Sequence, residues 1–443
     1  MANDIRQSTI GTLNLKIIPF IVICYFVANL DKTNISIAAL QMNADLGLTT
    51  SMYGFGVGVF YISYILFEVP SNVIMTHVGA RVWIARILIT WGIVSSLMAF
   101  VQSPTQLYIM RFMLGWAEAG FAPGIIYYLS CWFPKSNRAR AMSFFYMGSV
   151  TASMIGMPLS GAILGMSGIG GLMGWRWLFL IEGFPAVVLG IMALRCLPDR
   201  PANAKWLPDD QKKWLQQQLA QEQAAEHGHQ RPRLRTAFTS PLVGVLSLIW
   251  FLQAFGTIGL TLFMPMIISS MHVANSNFAI GALSGAPFAI ACIAMYWNGR
   301  HSDRHQERAW HMGAPLLLAG LCMGAVLVSS NAIVAYLCLS LAVGLVFALT
   351  PVFWATTTER LSGITSAAAI ALINTLANGV GLGLPPLLGQ IKDATQSYDY
   401  GLMVVAGALL LGGVICVAMF GPHRRHPETR ARKYPQPLKS PAN

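Results

Sequence analysis

Charge is what this chain has least of. Only 10% of its 443 residues are Asp, Glu, Lys or Arg, where a soluble domain carries about a quarter, so an ordinary water-soluble fold is excluded. The seven cysteines (Cys24, Cys131, Cys196, Cys292, Cys322, Cys338, Cys416) are odd in number and never spaced CxxC. They read as small core hydrophobes rather than a disulfide framework. Inside the apolar segments no His, Cys and Asp gather at ligand spacing and no nucleophile motif occurs, which argues against an enzyme. No metal or cofactor is expected: His227 with His229, and His301 with His305, lack companion ligands. Both termini and the one long polar stretch are too short for the output domain of a sensor. The net charge of +12 forms no basic stripe with exposed aromatics, so nucleic acid is not a partner.

What is abundant is apolar: 55% of residues are hydrophobic and 41 are glycine. Runs of about twenty apolar residues, the length that crosses a bilayer, lie near 15–40, 52–75, 82–101, 107–132, 141–165 and 175–197. A second set lies near 241–269, 278–297, 312–329, 332–357, 366–391 and 401–420. The fold class is therefore an all-α membrane protein, twelve transmembrane helices in two pseudo-symmetric six-helix halves. It divides into 1–197, a linker 198–240, 241–421 and a tail 422–443. Loops after even-numbered spans carry the cations: Arg81 and Arg86; Lys135, Arg138 and Arg140; Arg300, Arg304 and Arg308; Arg360. Loops after odd-numbered spans carry only Lys392. By the positive-inside rule both termini face the cytoplasm, with Arg424, Arg425, Arg430, Arg432 and Lys433 in the tail. The first span is expected to stay uncleaved. In the linker, Pro208, Asp209 and Asp210 open a helix whose Trp214, Leu215 and Leu219 recur at helical spacing, predicting a short amphipathic helix on the membrane surface.

Two groups of charges interrupt the apolar spans. Arg111 and Glu118 stand seven residues apart in the fourth, close to two helical turns, so they share a face with Gly115 between them. Each would cost about 2.5 kcal/mol or more against lipid, so both must face protein or water. A structural ion pair and a solute or proton site both satisfy that. Asp31 and Lys32 lie in the polar run Asn29, Asp31, Lys32, Thr33, Asn34, Ser36; the run either ends the first span or, since IAALQM continues past it, sits at membrane depth. In the second half Gln253, Trp354, Asn374 and Asn378 are suited to solute hydroxyls, although an aromatic such as Trp354 also fills gaps between helices. Glu68 and Glu182 are read as structural. Gly156, Gly161 and Gly165 form a close-packing stripe.

The six-plus-six count, the linker and the loop GRHSDRHQER resemble the major facilitator superfamily, whose gating loop reads Gly-x-x-x-Asp-Arg-x-x-x-Arg. This places Gly299, Asp303 and Arg304 in the second-half loop. Gly79 and Arg81 fall in the first-half counterpart, MTHVGARVWIAR, which lacks the acidic residue. NLDKTNIS, YISYILFEVPSN, RFMLGWAEAGFAPGIIYYLSCWFPKSNRARA, WRWLFLIEGFPAV and LPDRPANAKWL resemble the anion:cation symporter family within it, whose bacterial members import sugar acids and other organic acids with protons. The resemblance implies proton-linked roles for Asp31 and Glu118, with Arg111 controlling the latter. It implies solute contacts by Lys32, Tyr64, Asn29, Ser149, Trp354 and Asn374. Lys32 stands where the family most often has Arg, and it lacks the planar fork that grips a carboxylate in two places.

The expectation is a secondary transporter in the bacterial cytoplasmic membrane, importing an organic anion by proton symport and acting as a monomer with protons and the lipid bilayer as its other partners. An exporter of lipophilic or cationic compounds is the rival within transport, and a non-transporting sensor the rival outside it. Lys32 and Arg111 disfavour a cationic solute.

Overall fold

In an apolar layer every backbone N–H and C=O must be paired within the protein, and a helix does this locally. The computed structural model describes residues 2–227, 239–361 and 364–421, and its long elements are helices throughout. The tail cations Arg424, Arg425, Arg430, Arg432 and Lys433 lie outside the described residues, as do His229 and the side chain of His227. The first half contains α1 (Ala2–Lys16), α2 (Ile18–Asp45), α3 (Thr50–Val78), α4 (Ala80–Leu97), α5 (Pro104–Glu118), α6 (Phe121–Trp132), α7 (Lys135–Leu164) and α8 (Gly174–Cys196). After α9 (Asp209–His227) come α10 (Pro241–Ser270), α11 (Asn277–His305), α12 (Ala309–Val328), α13 (Ala332–Arg360), α14 (Ile364–Thr395) and α15 (Asp399–Phe420).

Among the described residues 11 helices are long and apolar enough to cross a membrane, α1 and α2 running together as one. The twelfth crossing is the pair α5 and α6, and here the structure departs from the single span read over 107–132. Ala119 leaves the helix at ψ 129°, and Gly120 turns left-handed at φ 87°. A side chain at Gly120 would also come within 2.8 Å of the Ser71 Cβ on α3. The left-handed turn and the close approach of α3 both select glycine. Pro123 then sits in the first turn of α6, where its missing N–H costs nothing.

The starts of α3, α5, α11 and α13, on the face away from the basic loops, are capped by short polar residues. Thr49, Ser103 and Ser276 accept from Met52, Gln106 and Ala279, and Asn331 accepts from Ile333 and Val334. These caps satisfy orphan donors where the loops are too short to do so. On the basic face, α9 packs against α1 through buried Leu215 and a Gln211–Ser8 hydrogen bond of 2.9 Å.

The two halves meet along α3 with α14, α7 with α11 and α2 with α10. Their close approaches lie on the face opposite the basic loops. Gly54 and Gly58 press on Leu382, Pro385 and Pro386, while Gly161 meets Asn277 and Gly281. The Tyr53 hydroxyl donates to the Leu262 carbonyl at 3.0 Å. Asp393 at the end of α14 accepts from the backbone N–H of Thr50 at 3.0 Å and of Ser51 at 2.9 Å, and from the Ser51 hydroxyl. Among the described residues, every hydrogen bond between the halves lies on this face. The halves are closed against each other there.

Candidate functional site

Lys32, Tyr64 and Ser149 fall at the midpoints of α2, α3 and α7, and Glu118 ends α5 halfway through the fourth crossing. These four residues thus share one depth, and the alternative that Asp31 and Lys32 merely end the first span does not hold.

Consecutive helical residues point about 100° apart, and Asp31 and Lys32 accordingly serve different neighbours. Lys32 Nζ lies 2.7 Å from Glu118 Oε1, and its side chain is 32% exposed while Glu118 is 1% exposed. The ammonium stands between the carboxylate and the open side. It also lies 5.0 Å from the centre of the Tyr64 ring, a cation–π distance. Apart from this ammonium, no donor reaches either Glu118 oxygen among the described residues. A charge so placed depends on Lys32 for its compensation.

Asp31, 1% exposed, faces α4 instead. Trp91 Nε1 donates to Oδ2 at 2.6 Å, the Ser95 hydroxyl and Asn34 Nδ2 donate to Oδ1, the latter at 3.0 Å. Arg111 lies within electrostatic reach of Asp31, yet it makes no ion pair with Glu118. Its Nε donates to the Gly56 carbonyl at 3.4 Å and its guanidinium stacks 4.7 Å from the Phe60 ring. Gly115 between the two admits α3, its Cα side facing the Phe60 carbonyl and Ser63. At 2% exposure Arg111 is walled off from solute in this conformation.

The remaining candidates divide. Asn29 is half-buried and donates to the Tyr25 carbonyl at 2.7 Å, and Ser149 is half-buried on α7. Gln253 is buried and committed to the Val346 carbonyl at 3.3 Å. Trp354 packs on Trp250, ring centres 5.1 Å apart, near the basic end of α13, which is the gap-filling role. Asn374 is half-buried and bonds only its own helix, at Ile370. Tyr61, which the sequence did not single out, lies against Gly381 of α14.

The basic-face loops are each tied within their own half. Gly79 adopts φ 101° against Asp199, whose carboxylate accepts from Arg81 N at 2.9 Å and lies 3.4 Å from Arg81 Nε. The acid missing from the first-half loop is thus supplied by the segment after α8. In the second half Arg308 bridges Asp303 and Glu359, both at 2.6 Å, with Gly299 against Pro351 and Arg304 exposed. Glu307 accepts from the first N–H groups of α12, at Trp310 and His311, and from the His311 ring.

The sequence model of the Major Facilitator Superfamily matches residues 21–386. A putative tartrate transporter of Agrobacterium vitis is 42% identical over 95% of this chain and 96% of its own length. A quinolone resistance transporter of Acinetobacter baumannii is 35% identical over 98% and 100%. The inward-open xylose transporter XylE of E. coli superposes with a TM-score of 0.73 at 15% identity, covering 92% of this chain and 96% of that one.

Proposed function

From the premise that this chain belongs to the Major Facilitator Superfamily and is a secondary transporter, we propose that it imports a small organic anion, a sugar acid or a related carboxylate such as tartrate, by proton symport. The basic face is the cytoplasmic one by the positive-inside rule, so the seam between the halves closes the outer side. The reading rests on the Lys32–Glu118 pair at mid-depth, with the cation on the accessible side.

The coupling follows from the cost of an unpaired buried charge. A carboxylate solute arriving from outside takes the Lys32 ammonium as its partner. Glu118 is then left ionised in a site from which water is excluded, at a cost of several kcal/mol, unless it takes up a proton. Loading with anion alone is therefore unfavourable; a monoanion with one proton leaves the site neutral, and a dianion such as tartrate needs a second, which Asp31 can hold. A neutral site lets the halves rock. On the cytoplasmic side the proton leaves, Glu118 recaptures Lys32, and the anion departs. Asp31 is the second proton-linked carboxyl, and Arg111 acts on it through the field rather than by contact.

Export of lipophilic compounds is the second reading, favoured by the likeness to the quinolone resistance transporter. The two are separated in liposomes holding the purified protein: an inward proton gradient should drive accumulation of tartrate or a hexonate and leave quinolone distribution unchanged. Glu118→Gln should abolish proton-driven accumulation while sparing exchange of internal for external anion. Full accumulation by that variant would remove Glu118 from the scheme.

A further inference from the structure

Lys32 and Arg111 each find an oxygen partner inside the protein. Arg86 of α4 does not: among the described residues its guanidinium has neither a carboxylate nor a hydrogen-bond acceptor. It has aromatic faces instead. The guanidinium carbon lies 4.8 Å from the ring centre of Trp83 on α4 and 4.8 Å from that of Trp116 on α5. The Trp83 ring is itself fixed, its Nε1 donating to the Ser71 hydroxyl of α3 at 3.0 Å. Three helices thus build the place where this cation is held. The two rings compensate part of its charge, but they supply no lone pair to its five N–H donors.

The place is on the wall that faces lipid. Val82, Ile93 and Leu97 are 40%, 45% and 49% exposed, and the spacing 82, 86, 93, 97 puts Arg86 in the same stripe of α4. On α5 the exposed Ile109 and Met113 share a face with Trp116 in the same way. Arg86 stands six residues past Ala80, about 9 Å from the basic end of α4. Its Cα–Cβ bond tilts toward the helix N-terminus, which here is that basic end, so the side chain extends toward the headgroups of the adjoining leaflet. Trp83, one turn nearer them, is at the depth where tryptophan gathers in membrane proteins.

A cation so placed lacks an oxyanion that neither the protein nor the acyl chains provide. A lipid phosphodiester provides it, and its two free oxygens match the planar fork of an arginine. A zwitterionic headgroup brings its own cation to compete for that phosphate, whereas an anionic one does not. We propose that the groove between α4 and α5 at Arg86 binds the phosphodiester of an anionic phospholipid, with Trp83 and Trp116 holding the guanidinium in position. Assigning the lipid to the cytoplasmic leaflet rests on the positive-inside orientation; the binding itself does not.

The purified protein, stripped of lipid in a neutral detergent, can be titrated with phosphatidylglycerol and followed by native mass spectrometry. Wild type should bind one phosphatidylglycerol about tenfold more tightly than Arg86→Gln, through the loss of one charge-assisted contact. Arg86→Lys, which keeps the charge without the fork, should fall between them. Arg360→Gln, which removes a cation stacked on Phe420 in the second half, should bind as wild type does. Phosphatidylcholine and inorganic phosphate should not distinguish wild type from Arg86→Gln. Equal phosphatidylglycerol affinity in those two proteins, or phosphatidylcholine bound as tightly as phosphatidylglycerol, would overturn the proposal. A second measurement needs no variant: phosphatidylglycerol with brominated chains should quench the wild-type tryptophan fluorescence more than phosphatidylcholine with the same chains, and equal quenching would also overturn it. Neither experiment uses cargo or a proton gradient, so a failure of the symport reading would not be mistaken for a failure of this one.

Discussion

Removing the Asp393 carboxylate should loosen the closed seam between the halves. In Asp393→Ala the N–H groups of Thr50 and Ser51 and the Ser51 hydroxyl lose one common acceptor at the start of α3. A capping side chain is worth about 0.5–2 kcal/mol, and Thr49 still serves the N–H of Met52, so the loss should be about 1–2 kcal/mol. Because these bonds exist only while the seam is shut, the whole loss falls on the equilibrium between the two conformations. That is a shift of about 5–30-fold toward the outward-open state. Asp393→Asn keeps an acceptor and forfeits only the interaction of a charge with the helix end, about 0.3–1 kcal/mol or roughly two- to fivefold. Spin labels at Gln102→Cys and Ser330→Cys, exposed on either half at that face, would report the change as a population at longer distance. The native cysteines would be replaced first. A well-folded Asp393→Ala with an unaltered distance distribution would refute the reasoning.

Lys32→Met should destabilise the protein by about 3–5 kcal/mol by stranding the Glu118 charge, and Glu118→Gln in the same chain should restore most of that; equal melting temperatures for the single and double variants would contradict it. Gly120→Ala should cost about 1–2 kcal/mol for the left-handed backbone alone, more with the Ser71 contact, read as a lowered melting temperature. Glu307 is partly desolvated, which opposes its charge, but the N–H groups of Trp310 and His311 and the His311 ring outweigh this and hold its carboxyl below its ordinary 4.5. A lowered folded value means the stabilisation is complete above that ordinary value and fades as pH falls through the folded one. The stability gap between wild type and Glu307→Gln, followed by thermal melts across pH, should therefore be constant at neutral pH and close in acid.

The crossings were legible because apolar runs and the alternation of basic loops are each a direct consequence of the bilayer. Asp31, Lys32, Arg111 and Glu118 were legible for the same reason, since an ionisable group costs so much there. The break at Ala119 and Gly120 was not, because a hydropathy pattern reads GFAPG as one more apolar stretch. That break also undid the pairing of Arg111 with Glu118: the seven-residue spacing put them on one face, but Glu118 ends its helix and reaches Lys32, while Arg111 turns to α3. Trp91 and Ser95, which with Asn34 cradle Asp31, carry no charge and so give no signal in a membrane span. Asp199 and Asp393 act on residues over a hundred positions away, a relation that no local spacing encodes.

Every Asp, Glu, Lys and Arg side chain at mid-depth belongs, among the described residues, to the first half; the second half keeps its charges at the ends of its helices. On the proposed symport, the groups that would take up the proton and pair with the cargo therefore belong to one of the two bodies that rock.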